Sequence, residues 1–252
     1  MNGRKWFLTP FLLLAAGSAA HADFDSGVAA SKNFTVLAPR GDHLAKKVLH
    51  HAEMLRDEVA RRWFGQPLPE GDARTHILVT LSDDVDEGLT LLAGPGYSAS
   101  GDHRIWLTTT RERALGTTLA HEITHVVLAG GFAAPVPAWA NEGIASRRDD
   151  AGRAAIRRRW LEHFARTGNW PRLPPLLAAR SIHPTDQQSY TVAVSLTEYL
   201  LAHGGPRKFV RFLAAGSDWD DALSSFYGIN GTATLQRRWQ SWASTTSRRS
   251  LK

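Results

Sequence analysis

Leu119-Ala-His-Glu-Ile-Thr-His-Val-Val-Leu-Ala129 is the stretch around which the rest of the chain is read. His121 and His125 stand four residues apart, with Glu122 directly after the first. On a helix such positions share one face, so both imidazoles can reach a single metal ion. Glu122 is turned about 100° away, where its carboxylate can act on a water beside the ion. The flanks read as helix boundaries: Thr109-Thr-Arg-Glu112 is a capping box, and Gly130-Gly131 is a stop. Leu115, Leu119, Ile123 and Val126 make one apolar stripe; Thr118, His121, His125 and Leu128 make a second on roughly the other side. Two such faces predict a sandwiched helix, with one side in the core and the other lining a cleft. The plainer alternative is a partly buried helix whose polar groups are satisfied by hydrogen bonds.

A catalytic zinc needs three protein ligands and one open position. The interval from His125 to Glu142 is long enough to finish one helix, turn at Pro135 and Pro137, and return antiparallel. Glu142 is therefore the expected third ligand, carried near the start of the next helix by Ala138-Trp-Ala-Asn-Glu-Gly-Ile-Ala145. An acid placed there simply to suit the helix dipole is the competing reading.

Residues 1–22 read as a cleavable export signal. Arg4-Lys5 opens it, Phe7 to Ala16 is apolar, and Ala20-His-Ala22 fits a cleavage site. The apolar run is short for a bilayer span, although an uncleaved membrane-associated N-terminus is the alternative. With 0 cysteines there is neither a disulfide framework nor a lipid-attachment cysteine. The expectation is an exported protein, periplasmic or secreted, without stable membrane insertion once the signal is removed. Of 30 Lys+Arg and 24 Asp+Glu, only Arg4 and Lys5 lie in the signal, which leaves a mature charge of +4. That mild excess does not indicate a nucleic-acid partner.

The expected fold class is α+β. Residues 23–252 form a single catalytic domain, divided into an α/β lobe over 33–131 and an all-helical lobe over 132–246. Within the first lobe, strands and helices support the motif helix at the cleft. Asp23–Lys32 reads as a loose leader, 33–38 as a strand and 42–64 as a long helix. Residues 75–81 read as a central strand, 94–103 as a flexible loop and 104–108 as a strand, most simply an edge. Helices are expected near 151–166, 189–203, 206–215, 218–227 and 233–245. His50-His51 does not share a helix face and reads as solvated. The arginines at 147, 148, 153 and 157–159, interleaved with Asp149, Asp150 and Glu162, read as a solvated helix face.

The pairing of Leu119-Ala-His-Glu-x-x-His125 with Pro137-x-Trp-x-Asn-Glu-Gly-x-Ala145 resembles the gluzincin metallopeptidases. The likeness is to the small bacterial peptidase MA-like domains related to aminopeptidase N and thermolysin, and it covers about residues 33–215. It implies a zincin-like fold, with a small mixed β-sheet packed on the motif helix and an all-helical second lobe, and a zinc-dependent hydrolase of peptide bonds, binding one Zn2+ and acting on a peptide or protein substrate. Two departures matter. Thermolysin-like enzymes often place an acid four residues after the ligand glutamate to buttress a zinc histidine, but that position here is Ser146. No exopeptidase Gly-x-Met-x-Asn loop precedes the motif, which favours an endopeptidase over an aminopeptidase.

In such a reaction Glu122 is the general base, and the developing oxyanion needs a further donor. Tyr190, in the first turn of the helix continued by Val194, Thr197 and Leu201, is the first candidate; His183 is the second. A core tyrosine with a satisfied hydroxyl is the competing reading for Tyr190. Two other function classes stay open at this stage. One is a cell-envelope binding or scaffold domain that keeps a zinc site; the other is an anion-binding protein using the arginine cluster.

Overall fold

The computed structural model describes residues 26–249 except 42, 70–72, 98, 100 and 217. The expected export signal, residues 1–22, lies outside the described residues. The fold is α+β: a five-stranded mixed sheet followed by a succession of helices. The strands are β1 (Ser26–Ala30), β2 (Phe34–Pro39), β3 (Thr75–Leu81), β4 (Glu87–Leu91) and β5 (His103–Thr109). Their spatial order is β1-β2-β3-β5-β4. β2, β3 and β5 run parallel, while β1 and β4 pair antiparallel at the two edges.

Strict alternation sets which face is covered. Phe34, Val36 and Ala38 of β2, Ile77 and Val79 of β3, and Ile105 and Leu107 of β5 are all buried. They face two helices, α1 (Leu44–Phe64) and the motif helix. The other face carries a row of apolar side chains that crosses all five strands, Val28, Leu37, Leu78, Trp106 and Leu89. Each is directly opposite the next across the ladder.

The capping box works one residue later than expected. Thr110 accepts a hydrogen bond from the Arg113 amide (3.3 Å) and caps a single turn, α2 (Arg111–Ala114). The chain then breaks at Gly116, whose φ of −134° and ψ of −116° lie outside the helical and extended regions. The motif helix, α3, begins only at Thr117 and runs to Gly131. Gly130-Gly131 is thus inside the helix rather than beyond it. A Cβ at Gly131 would run into the Phe64 ring, so glycine there lets the end of α1 lie against α3.

The remaining helices are α4 (Ala138–Ala145), α5 (Ala151–Thr167), α6 (Leu173–Ala178), α7 (Gln187–Ala202), α8 (Gly205–Ala214), α9 (Trp219–Tyr227) and α10 (Thr232–Arg249). Fully buried Trp139, Phe164, Phe209, Phe212 and Trp239 form their core. Trp139 meets Phe209 and Trp219 edge-on at 6.1 and 5.7 Å between ring centroids. Trp239 donates its indole N–H to the Ser195 hydroxyl at 3.1 Å.

Several local expectations change. Part of the stretch read as a leader pairs as β1, because Ser26–Ala30 finds the free edge of β2. Residues 104–108 belong to an interior strand, with the unforeseen β4 forming the edge. α6 is a further unforeseen helix, started by the prolines in its first turn. Within 94–103, Tyr97 lies near the Val136 backbone, and Gly96 lies so close to Pro135 that a Cβ would overlap its ring.

Candidate metal centre

α3 is pressed on one side by α1 and on the other by β4 and α4. The whole run from Thr118 to Leu128 is buried as a result, with His121, Glu122 and His125 at 9%, 5% and 7% exposure. The chain then turns at Pro135 and Pro137 and returns as α4. Gly143 allows α4 to settle on α7: a Cβ there would meet the Thr197 hydroxyl and stand 2.6 Å from the Ala193 carbonyl oxygen. With Gly143 against α7, the neighbouring Glu142 faces α3.

The Glu142 Oε2 atom lies 3.6 Å from His121 Nε2 and 3.9 Å from His125 Nε2. The two imidazole centroids are 4.9 Å apart, and one donor atom from each of the three residues falls within 4.8 Å of the others. A tetrahedral ion with ligands at about 2.0–2.1 Å holds neighbouring donor atoms about 3.3 Å apart. A metal ion would therefore need to draw the Glu142 oxygen toward the two nitrogens by about 0.3–0.6 Å, and the most widely separated donor atoms, within 4.8 Å of each other, together by up to about 1.5 Å. The contacts of 3.6 and 3.9 Å are too long for hydrogen bonds, and Glu142 Oε2 is buried without a hydrogen-bond partner. An orphaned carboxylate oxygen facing two imidazole nitrogens is the donor set that a divalent cation satisfies.

The opposite edge of each imidazole is already held. His121 Nδ1 pairs with Asp149 Oδ1 at 3.0 Å, and His125 Nδ1 with Asn141 Oδ1 at 3.0 Å. A carbonyl or carboxylate oxygen only accepts, so each Nδ1 carries the hydrogen and each Nε2 points its lone pair toward Glu142 once deprotonated. The side chain of Asp149 is only 4% exposed, and its second oxygen accepts from Arg157 at 2.6 Å. Burial opposes charge on His121, yet Asp149, Glu142 and Glu122 together raise its pKa to about 10. Burial likewise opposes charge on Glu142 and Asp149, but the histidines hold Glu142 below its ordinary range, and His121 and Arg157 do the same for Asp149. In the metal-free chain, a proton on His121 Nε2 occupies the place a cation would take.

Glu122 stands beside this trio without joining it. Its Oε2 accepts from the Thr90 hydroxyl at 2.6 Å, and a Cβ at Gly88 would overlap its carboxylate. β4 thus contributes both a donor and a gap to the wall of the site. Tyr190 is half-buried in the first turn of α7, with its hydroxyl against Glu142. Burial, then Glu142 and Glu122, push its pKa up, so it remains a protonated donor. His183 is not brought to this site: it is exposed before α7, with Nδ1 bonded to the Thr185 hydroxyl at 2.8 Å.

Two sets of residues escaped the sequence reading. Asp149 stands beside His121 in the role that the resembled enzymes give to an acid four residues after the ligand glutamate, where this chain has Ser146; one tight helical turn over Ser146–Arg148 carries it there after α4 ends. The arginine run is not a uniformly solvated face, since acids distant in sequence draw part of it inward. Arg157 grips Asp149, while Arg153 and Arg113 both reach Asp86 Oδ2, at 2.9 and 2.7 Å. Asp86 Oδ1 also accepts from Thr109 (2.6 Å) and Thr118 (2.8 Å), tying the entry to β4 to α3 and α5. The adjacent acids at 149 and 150, followed by a helix, were the available signal; Asp150 caps α5 through the Arg153 amide. No family model matches the chain, and a search of curated proteins finds no relative.

Proposed function

We propose that the chain is an exported zinc-dependent metallopeptidase of the gluzincin type that cleaves peptide bonds internally. The observation that carries the reading is the convergence of two oriented Nε2 atoms on the unpartnered Oε2 of Glu142, with the carboxylate of Glu122, held by Thr90, beside them. A nitrogen-and-oxygen set of two histidines and one glutamate suits zinc and leaves a fourth position open. Bound there, zinc would act as a Lewis acid and lower the pKa of a water to about 7.

The chain's own groups supply the remaining chemistry. Glu122, held by Thr90, takes a proton from the attacking water and returns it to the leaving amine. Tyr190 keeps its proton and donates to the developing oxyanion. Asp149 and Asn141 hold the two imidazoles in orientation throughout. A peptide suits the site because β4 is the edge strand and both Gly88 and Thr90 touch Glu122. An extended chain pairing with that edge would pass the base.

The test is cleavage of a peptide library by the wild type and by Glu122→Gln, with metal content measured in both. Zinc in both and turnover only in the wild type is the expected result. Equal turnover in the two overturns the role of Glu122. Bound zinc with no turnover in either favours a scaffold domain that keeps the site.

A further inference from the structure

One face of the sheet stays open to solvent. α1 and α3 pack on the other, while this face bears the apolar row Val28, Leu37, Leu78, Trp106 and Leu89. Val28 and Leu89, at its two ends, are 62% and 63% exposed; Leu37 and Leu78 are 37% and 43% exposed, and Trp106 is half-buried. Six large hydrophobic side chains are exposed among the described residues, and four of them stand in this row. Exposed apolar side chains scattered singly are ordinary, but a contiguous row marks a surface that another surface covers. The middle strands β2, β3 and β5 are parallel, and parallel strands are ordinarily covered on both faces.

The charges beside the row point to what covers it. Arg104 of β5 stands two residues before Trp106, and Glu87 of β4 two residues before Leu89. Since these strands are antiparallel, the two side chains flank the row on opposite sides. Both are exposed, and among the described residues neither forms a hydrogen bond or an ion pair. A two-fold axis laid along the row exchanges its flanks. It sets the row on its own copy and brings Arg104 of each chain over the Glu87 flank of the other, displaced by one strand spacing of about 4.8 Å. Stacked sheets lie about 10 Å apart, a gap that an arginine and a glutamate span together. Five strands with three outward residues each cover about 24 Å by 20 Å, or about 1,000 Å² over two copies. That reaches the lower bound of a specific interface, enough for a reversible dimer and too little for an obligate one.

We propose that two copies of this chain dimerise face to face through this row, with Leu78 of each meeting at the middle. α3, which carries the metal centre, lies on the opposite face of the sheet. The dimer therefore leaves that centre open and does not depend on the peptidase reading.

The test is sedimentation equilibrium of the purified chain from about 1 to 100 µM, where the mass is expected to rise from one chain toward two. Leu78→Lys sets two ammonium groups together at the axis and should give a monomer with unchanged circular dichroism. Met54→Lys, at another exposed apolar position on α1, should dimerise as the wild type does. Arg104→Glu places like charges together twice and should weaken the dimer about fivefold or more, and adding Glu87→Arg to it should restore the dimer. A wild type that stays monomeric throughout overturns the proposal, whether or not it then co-sediments with phosphatidylcholine vesicles, the result that a lipid-facing row would give. So does a Leu78→Lys protein that dimerises like the wild type, or a double charge exchange that fails to recover what Arg104→Glu loses.

Discussion

Asp149→Asn is the substitution whose consequence follows most directly from the geometry. Asp149 Oδ1 lies 3.0 Å from His121 Nδ1, and its Oδ2 lies 2.6 Å from Arg157, with the side chain only 4% exposed. Asparagine nearly preserves the shape but removes the negative charge, and it can present an acceptor to only one of the two neighbours. If its oxygen turns to Arg157, the amide N–H₂ faces the Nδ1–H of His121 and favours the wrong tautomer. Loss of such a carboxylate partner lowers metal affinity about 10- to 100-fold, or about 1.4–2.8 kcal/mol. The Arg157 guanidinium would at the same time exchange an anionic partner for a neutral one, so the metal-free variant should also be less stable. The assay is zinc affinity by competition with a chromophoric chelator, alongside urea unfolding of the metal-free protein. A folded Asp149→Asn protein with wild-type zinc affinity would refute the claim that Asp149 sets the imidazole.

Further outcomes follow from the same site. Because the His121 pKa is raised from 6.5 to about 10, its stabilising effect on the metal-free chain is fully present below about pH 6.5 and lost as pH rises through about 10. Melting of the metal-free protein across that range checks the decline. Zinc must also displace this proton, so binding at pH 7–8 should release about one proton per metal, read by calorimetry in buffers of different ionisation enthalpy. Thr90→Val removes the donor to Glu122 and should lower kcat about tenfold or more at unchanged zinc content, measured on a cleaved library peptide. Gly143→Ala forces a methyl group against the Thr197 hydroxyl and the Ala193 carbonyl, and should cost about 1–3 kcal/mol in denaturant unfolding.

The parts of this molecule that local periodicity governs could be read from its sequence. Residues four apart on a buried helix put His121 and His125 together, and two prolines after that helix implied the return that carries Glu142 back. Three of the strands and most of the C-terminal helices followed from local pattern in the same way, while the mixed sheet was implied by the family resemblance. What escaped was set by partners distant along the chain. The resemblance implied an acid at position 146, and Ser146 there meant that another group had to hold the histidine; a tight turn beyond α4 brings Asp149, which no local pattern named. Arg153 resembled solvated charge because its partner Asp86 is far away along the chain; Asp149 was in view near Arg157, but the turn that buries the pair was not. β4 has a glycine and a glutamate in five residues, a weak strand signal, and it exists because β5 offers a ladder. β1 is similarly made of small residues that β2 recruits.

The most direct measurement is metal stoichiometry by elemental analysis of the purified chain and of Glu142→Ala, each equilibrated with one equivalent of zinc and passed over a desalting column. A trio of His121, His125 and Glu142 predicts about one zinc per chain in the wild type and a large loss in a Glu142→Ala protein that remains folded. Zinc retained equally by both, or bound by neither, would contradict the metal centre on which the proposed chemistry depends.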